Sequence, residues 1–375
     1  MNRLFLYIIF LLCFIWPSCQ MRQSSHPEES LSSDTIRYAQ GFTVQHFDGY
    51  TTVDVRDPWD SARLLQRYIL VDRNRPVPKH LPKGTIVQVP VQNIVVYTSV
   101  HAAIIDQLGE TGQIIGVCEP RYMNTPAIQE GLKAGRIADM GEATAPDVER
   151  MIDKGAELVI VSPFQNSGYG PVEKLGIPII EGADYMESLP LGRTEWIRFY
   201  GMLFGKEALA DSIFRQTEKN YLDLKRLVTA DMPRPTVLSE KKFGASWFMP
   251  AGDSYIANMY ADAGADYLFK ELPGGGSSPL AFETVLDRAI HADMWLMKYN
   301  QANDMTYKEL RTEYTPYENF DAFKNRRIYT CNTGVVPYYE EFPLHPDFLL
   351  KDLIWVFHPE LLPDYTPRYY QKMDD

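Results

Sequence analysis

Cysteine is scarce in this chain. There are four in 375 residues, and Cys13 and Cys19 stand near the start, which leaves Cys118 and Cys331 for everything that follows. So few exclude a disulfide-stapled framework, and no Cys-x-x-Cys or His-x-x-x-His spacing occurs that would suggest a zinc site. Positive charge is short as well. Against 49 Asp and Glu there are 37 Lys and Arg, a net charge of −12, which argues against a partner held by phosphate neutralisation, nucleic acid above all. Neither a Gly-x-Ser-x-Gly nucleophile elbow nor a Gly-x-x-x-x-Gly-Lys phosphate loop is present. The longest apolar run near the start, Leu4 to Trp16, is thirteen residues, short of the roughly 20 that a membrane-spanning helix needs.

What is there begins with that run. Arg3 precedes it and Pro17-Ser18-Cys19 follows, the pattern of a signal peptide over residues 1–18 with Cys19 as a lipidated first residue, as in bacterial lipoproteins. Residues 19–35, rich in Ser, Glu and Pro, read as a flexible tether. A lipid-anchored protein on such a leash is expected in the periplasm, in a Gram-negative envelope, touching the membrane through its lipid only. Cys118 and Cys331 fall in or beside apolar runs far apart in the chain, and no bridge between them is expected.

At 45% hydrophobic residues the chain has material for two cores. Phe42–Gln45, Tyr50–Val55, Leu64–Val71 and Ile86–Val89 are β-branched or aromatic runs bounded by proline and read as strands. From Asn93 apolar strands alternate with helical stretches, which implies a parallel sheet covered on both faces. Residues 36–193 thus hold an N-terminal β segment and a first α/β lobe. Apolar positions then recur at mostly helical spacing without proline over 194–229, which predicts one long bridging helix of about 50 Å. Residues 230–375 repeat the strand–helix rhythm as a second lobe. The fold class expected is α/β, with two Rossmann-like lobes bridged by one long helix.

The two lobes share a unit. APDVERMIDKGAELVIV from Ala145 returns as LAFETVLDRAIHADMWLM from Leu280, with Glu149 falling on Glu283, Ile152 on Leu286 and Asp153 on Asp287. Each glutamate would favour its helix N-terminus, but that alone does not account for matched positions in two lobes that have otherwise diverged. Together with VYTSVHAAIIDQLGETGQIIGVCEP, the EWI that opens the bridge, GGGSSPLAFETVL and LKDLIWVFHPEL, the unit resembles the substrate-binding lipoproteins of ABC importers for ferric siderophores, haem and vitamin B12. The resemblance implies a monomer without enzymatic activity or cofactor, which captures an iron or cobalt chelate between its lobes. It also implies that Glu149 and Glu283 dock on a permease dimer driven by its ATPase.

In parallel α/β lobes the ligand crevice lies at the carboxyl ends of the strands. There the candidates for ligand contact are Ser99, Phe164, Tyr169 and Tyr185 in the first lobe, and Trp247, Phe248, Tyr338, Tyr339 and Glu340 in the second. Such an aromatic crevice suits a large, partly flat ligand. Where the vitamin B12 type carries tryptophans before the docking glutamates, this chain has Ala143 and Ser277, which leaves haem and ferric siderophores beside cobalamin. His101 at a helix start is either an axial ligand to haem iron or a structural hydrogen-bonding group. The rival class is a metal-handling enzyme, a chelatase or hydrolase on a similar scaffold, with Asp253, Glu283 and His291 as ligands.

Overall fold

The computed structural model describes residues 30–60 and 62–375. The expected signal peptide, Cys19 and most of the tether lie outside the described residues.

Two five-stranded sheets form the lobes. In the first, the strand order is Ile179–Glu181, Leu158–Val161, Ile94–Val96, Ile114–Val117, Ala138–Asp139, and every neighbouring pair is parallel. In the second, Asp266–Tyr267, Thr236–Ser239, Met294–Tyr299 and Ile328–Asn332 are parallel, and Gln371–Lys372 closes the edge antiparallel. Leu158–Val161 and Ile94–Val96 are buried throughout, as expected of strands covered on both faces. In each lobe the first strand in chain order, Ile94–Val96 or Thr236–Ser239, has later strands on both sides. That arrangement leaves a topological switch point at its carboxyl end, where the loops diverge and a crevice opens.

A further five-stranded sheet, Ser32–Ser33, Phe42–Phe47, Tyr50–Arg56, Leu64–Asp72 and Thr85–Val89, precedes the first lobe. Its four longer strands are those read from the sequence. Ser32–Ser33 corrects the expected tether, because its last residues pair with Gln45 and His46 at the sheet edge. The chain is then lashed to the bridge. The backbone N–H groups of Arg37, Tyr38 and Ala39 converge on the Glu195 carboxylate, and those of Gln40 and Gly41 on Glu187. Both carboxylates are buried, and these amides supply the hydrogen bonds that make such burial tolerable.

The single strut expected over 194–229 is broken into pieces, and this corrects the sequence reading. Helices run over Pro190–Glu195, Ile197–Phe204 and Glu207–Lys225. Gly205 ends the second in the left-handed region at φ 64°, which a side-chain-bearing residue would adopt only with strain. The chain folds back there, so that a Cβ on Gly201 would stand 2.5 Å from that of Ala210. The two glycines that weaken a straight rod are thus a helix cap and a close-packing position. Bridging itself falls to the 19-residue helix Glu207–Lys225, about 28 Å long. It buries Ala210 and Phe214 in the first core and Tyr221 in the second. Cys118 and Cys331 are both free and buried, and burial pushes each thiol up to about 12.

Candidate functional site

Between the lobes lies a cleft of about 1120 Å³. From the first lobe it is lined by Ser99, at the start of a helix capped by Thr98, and by Arg121, Tyr122 and Asn124. From the second lobe come the turn after Thr236–Ser239, Phe248, and the short helix Tyr338–Glu341. Glu340 closes the cleft at one side, where its Oε1 accepts hydrogen bonds from the Asn124 backbone N–H at 3.2 Å and side-chain amide at 3.0 Å.

The charge lining this cleft opposes that of the whole chain. Arg121, Arg193, Lys241, Lys242 and Lys298 face it against Glu240 and Glu340. Lys298 bonds Glu240 and is held by it; burial would lower its ammonium, but the Glu240 carboxylate keeps it well above the usual lysine range. Arg193 reaches in from the helix Pro190–Glu195, with its guanidinium 4.9 Å from the Phe342 ring and its Nε donating to Asp184 at 3.1 Å. Burial alone would raise the Asp184 carboxyl. His101 and Arg193 together hold it below its ordinary value. His101 is 1% exposed with Nδ1 at 3.0 Å from Thr98 Oγ1 and Nε2 at 3.2 Å from Asp184 Oδ1. Both ring nitrogens are therefore engaged in the fold, and neither is free to ligate haem iron.

Of the nine residues read as ligand contacts, Ser99, Phe248, Tyr338, Tyr339 and Glu340 line the cleft. Trp247 does not. It is fully buried against Trp295, Tyr317 and Phe320, and its Nε1 donates to the Ser239 carbonyl at 2.9 Å. The reason is alternation along Ser246–Pro250, which turns Trp247 and Met249 into the core and Phe248 outward. Phe164, Tyr169 and Tyr185 also lie outside the lining. Tyr169 donates to Glu181 at 2.7 Å, Tyr185 donates to the Pro163 carbonyl, and Phe164 is 65% exposed beside Tyr185. The sequence reading missed Lys298, Glu240, Asn124 and Arg193. A lysine inside the otherwise apolar strand Met-Trp-Leu-Met-Lys-Tyr was the available signal for the first.

Glu149 and Glu283 are exposed in the first turns of Val148–Asp153 and Phe282–Ala289, and neither carboxylate has a hydrogen bond or ion pair among the described residues. Each helix follows a strand tied to the cleft. Glu142, on the hairpin before the first helix, pairs with Arg121 at 2.6 Å, and Gly276 and Ser277 line the cleft just ahead of the second helix. The rival ligand set is not assembled, since His291 pairs instead with Asp321 at 2.7 Å. Among the described residues no three His, Cys, Asp or Glu side chains gather to hold a metal ion.

The model of the periplasmic binding protein family matches residues 94–333. The chain belongs to this family, the solute-binding components of ABC transport. A lipoprotein of Methanocaldococcus jannaschii that has no assigned function is 26% identical over 82% of this chain and 76% of its own length. Among solved structures, a possible iron-binding, periplasmic solute-binding protein of Staphylococcus epidermidis superposes at a TM-score of 0.56, with 18% identity over 70% of this chain and 97% of its own. A protein of the ABC-type Fe3+-hydroxamate transport system of Saccharomonospora viridis also superposes at 0.56, with 15% identity over 71% and 93%. Family and lipoprotein relative place the chain outside the cytoplasm. The archaeal source of that relative shows that kin of this chain are not confined to Gram-negative bacteria.

Proposed function

We propose that the chain is a lipid-anchored, monomeric capture protein. In this reading it binds a metal chelate between its lobes, turns nothing over, and delivers the chelate to an ABC permease dimer through Glu149 and Glu283. The observation that carries this is the cleft, to which both lobes contribute, with cations and outward-facing aromatic side chains in a chain of net negative charge. Such a lining suits an anionic ligand with apolar faces. Iron for the one structural neighbour and Fe3+-hydroxamate for the other agree with a chelate as cargo. Phe248 at 45% exposed and Tyr339 at 46% supply flat apolar contact, while Ser99 and Asn124 supply polar contact from the other side.

Titration of the purified chain with haemin, cobalamin, a ferric trihydroxamate and a ferric tris-catecholate, read by calorimetry, tests the proposal. At least one should bind at one-to-one stoichiometry with micromolar affinity or tighter, and none should be chemically altered. Failure of all four to bind, or turnover of any, would overturn it.

A further inference from the structure

The second lobe has a polar device at its switch point that the first lobe lacks. Glu240 directly follows the strand Thr236–Ser239, and Lys298 lies near the carboxyl end of the adjacent strand Met294–Tyr299, so their ion pair spans the crevice between the two strands. The Lys298 side chain is 18% and the Glu240 side chain 21% exposed, and both line the cleft. In the first lobe the corresponding loop presents Thr98 and Ser99. Two features make the pair costly as mere structure. A mostly buried ion pair gains little over packed apolar residues of the same volume, and Glu240 sits at φ 61°, a left-handed conformation that is strained for a residue with a Cβ.

An ammonium carries three donors. Glu240 accepts from one, and the group faces a cavity whose outward aromatic side chains are Tyr122 on one lobe and Phe243, Phe248 and Tyr339 on the other. Lys242 lies beside them and has no carboxylate partner among the described residues; its Nζ donates to the Gly244 carbonyl and stands 5.1 Å from the Tyr314 ring.

Resting on the reading of this chain as a chelate-binding protein, we infer that Lys298 is a specificity-determining residue that selects chelates joining negative charge to planar aromatic faces. Glu240 is its positioning partner: it fixes the ammonium at the switch point and keeps the buried charge paired when the cleft is empty. Both a ferric tris-catecholate and a carboxylate-bearing metalloporphyrin have this chemistry, whereas an uncharged ferric trihydroxamate has neither part of it.

The test compares the native chain with the double variant Lys298→Met/Glu240→Gln, which removes the pair without leaving a lone buried charge. Haemin, a ferric tris-catecholate and an uncharged ferric trihydroxamate serve as probes, and thermal melts show that the variant is folded. The native chain should bind haemin or the tris-catecholate about tenfold or more tighter than the trihydroxamate, and the variant should lose that margin, its affinity for the anionic probe falling toward that for the trihydroxamate. Which of the two anionic probes binds distinguishes a porphyrin from an aryl chelate as the source. An unchanged margin in the variant, or a native preference for the uncharged probe, would overturn the inference and leave the chelate reading intact. Binding of none of the three probes would overturn the inference, and failure of cobalamin to bind as well would overturn the chelate reading. If the double variant does not fold, the single variant Lys298→Gln, which can still hydrogen-bond Glu240, must narrow the margin of the anionic probe over the trihydroxamate, and an unchanged margin would contradict the assignment to Lys298.

Discussion

Lysine at both Glu149 and Glu283 should abolish uptake of the bound solute while the purified chain binds that solute as before. The two glutamates are exposed in first helical turns and carry no partner among the described residues, so their replacement forfeits a dipole contact of about 0.3–1 kcal/mol each. In the proposed docking role their value lies with a partner. Charge complementarity at an interface sets orientation and on-rate, and breaking a close charge pair costs about 2–5 kcal/mol. Reversal at two sites, which adds repulsion to loss, should therefore lower transport by more than about a hundredfold. Each single reversal should give an intermediate effect. Transport assayed in vesicles containing the permease and its ATPase, alongside calorimetry of the isolated chain, separates the two functions. Transport that survives the double reversal, or binding that falls with it, would remove both residues from the docking role.

The second large effect concerns stability. Replacing Trp247 by Ala should cost about 3–5 kcal/mol, because a fully buried indole packed on Trp295, Tyr317 and Phe320 would leave a cavity and orphan the Ser239 carbonyl. Replacing its neighbour Phe248 by Ala should change stability by no more than about 0.5 kcal/mol and weaken solute binding instead. Denaturant unfolding of the two variants, with solute titration under native conditions, checks the contrast. A Trp247→Ala chain that melts like the parent yet fails to bind would return the indole to the cleft.

These two residues also show where the sequence is readable. Phe248 and Trp247 are adjacent aromatics near a turn, and composition makes them equivalent; only the face of the short strand Ser246–Pro250 separates them, and that face is set by pairing with Ser277–Leu280. The bridge failed for a related reason. Helical spacing of Trp196, Phe199, Tyr200 and Leu203 is real, but these side chains bury in the first core alone, and Gly205 turns the chain before the helix that spans both cores. A glycine inside an apolar periodic run reads the same whether it weakens a helix or ends it.

What was legible rests on long-period signals. Buried apolar strands alternating with helices gave the two mainly parallel sheets, and the repeated helix–strand unit gave the matched positions of Glu149 and Glu283. That Ser99, Phe248 and Tyr339 line the cleft followed from the rule that loops at strand carboxyl ends border a crevice. Its ionic floor did not, because Glu240 and Lys298 are far apart in sequence and meet only through the adjacency of Thr236–Ser239 and Met294–Tyr299. Arg193 was hidden at the boundary between the first lobe and the stretch read as bridge, and Asn124 in a loop whose reach across to Glu340 depends on how the lobes face one another.

A crystal of the chain grown with whichever iron or cobalt chelate it binds, and measured at the absorption edge of that metal, would locate the cargo directly. The metal's anomalous signal should fall in the inter-lobe cleft, between Ser99 and Asn124 on one side and Phe248 and Tyr339 on the other. A signal in the separate cavity of about 700 Å³ beside Met202 and Leu70, with the cleft empty, would contradict capture between the lobes.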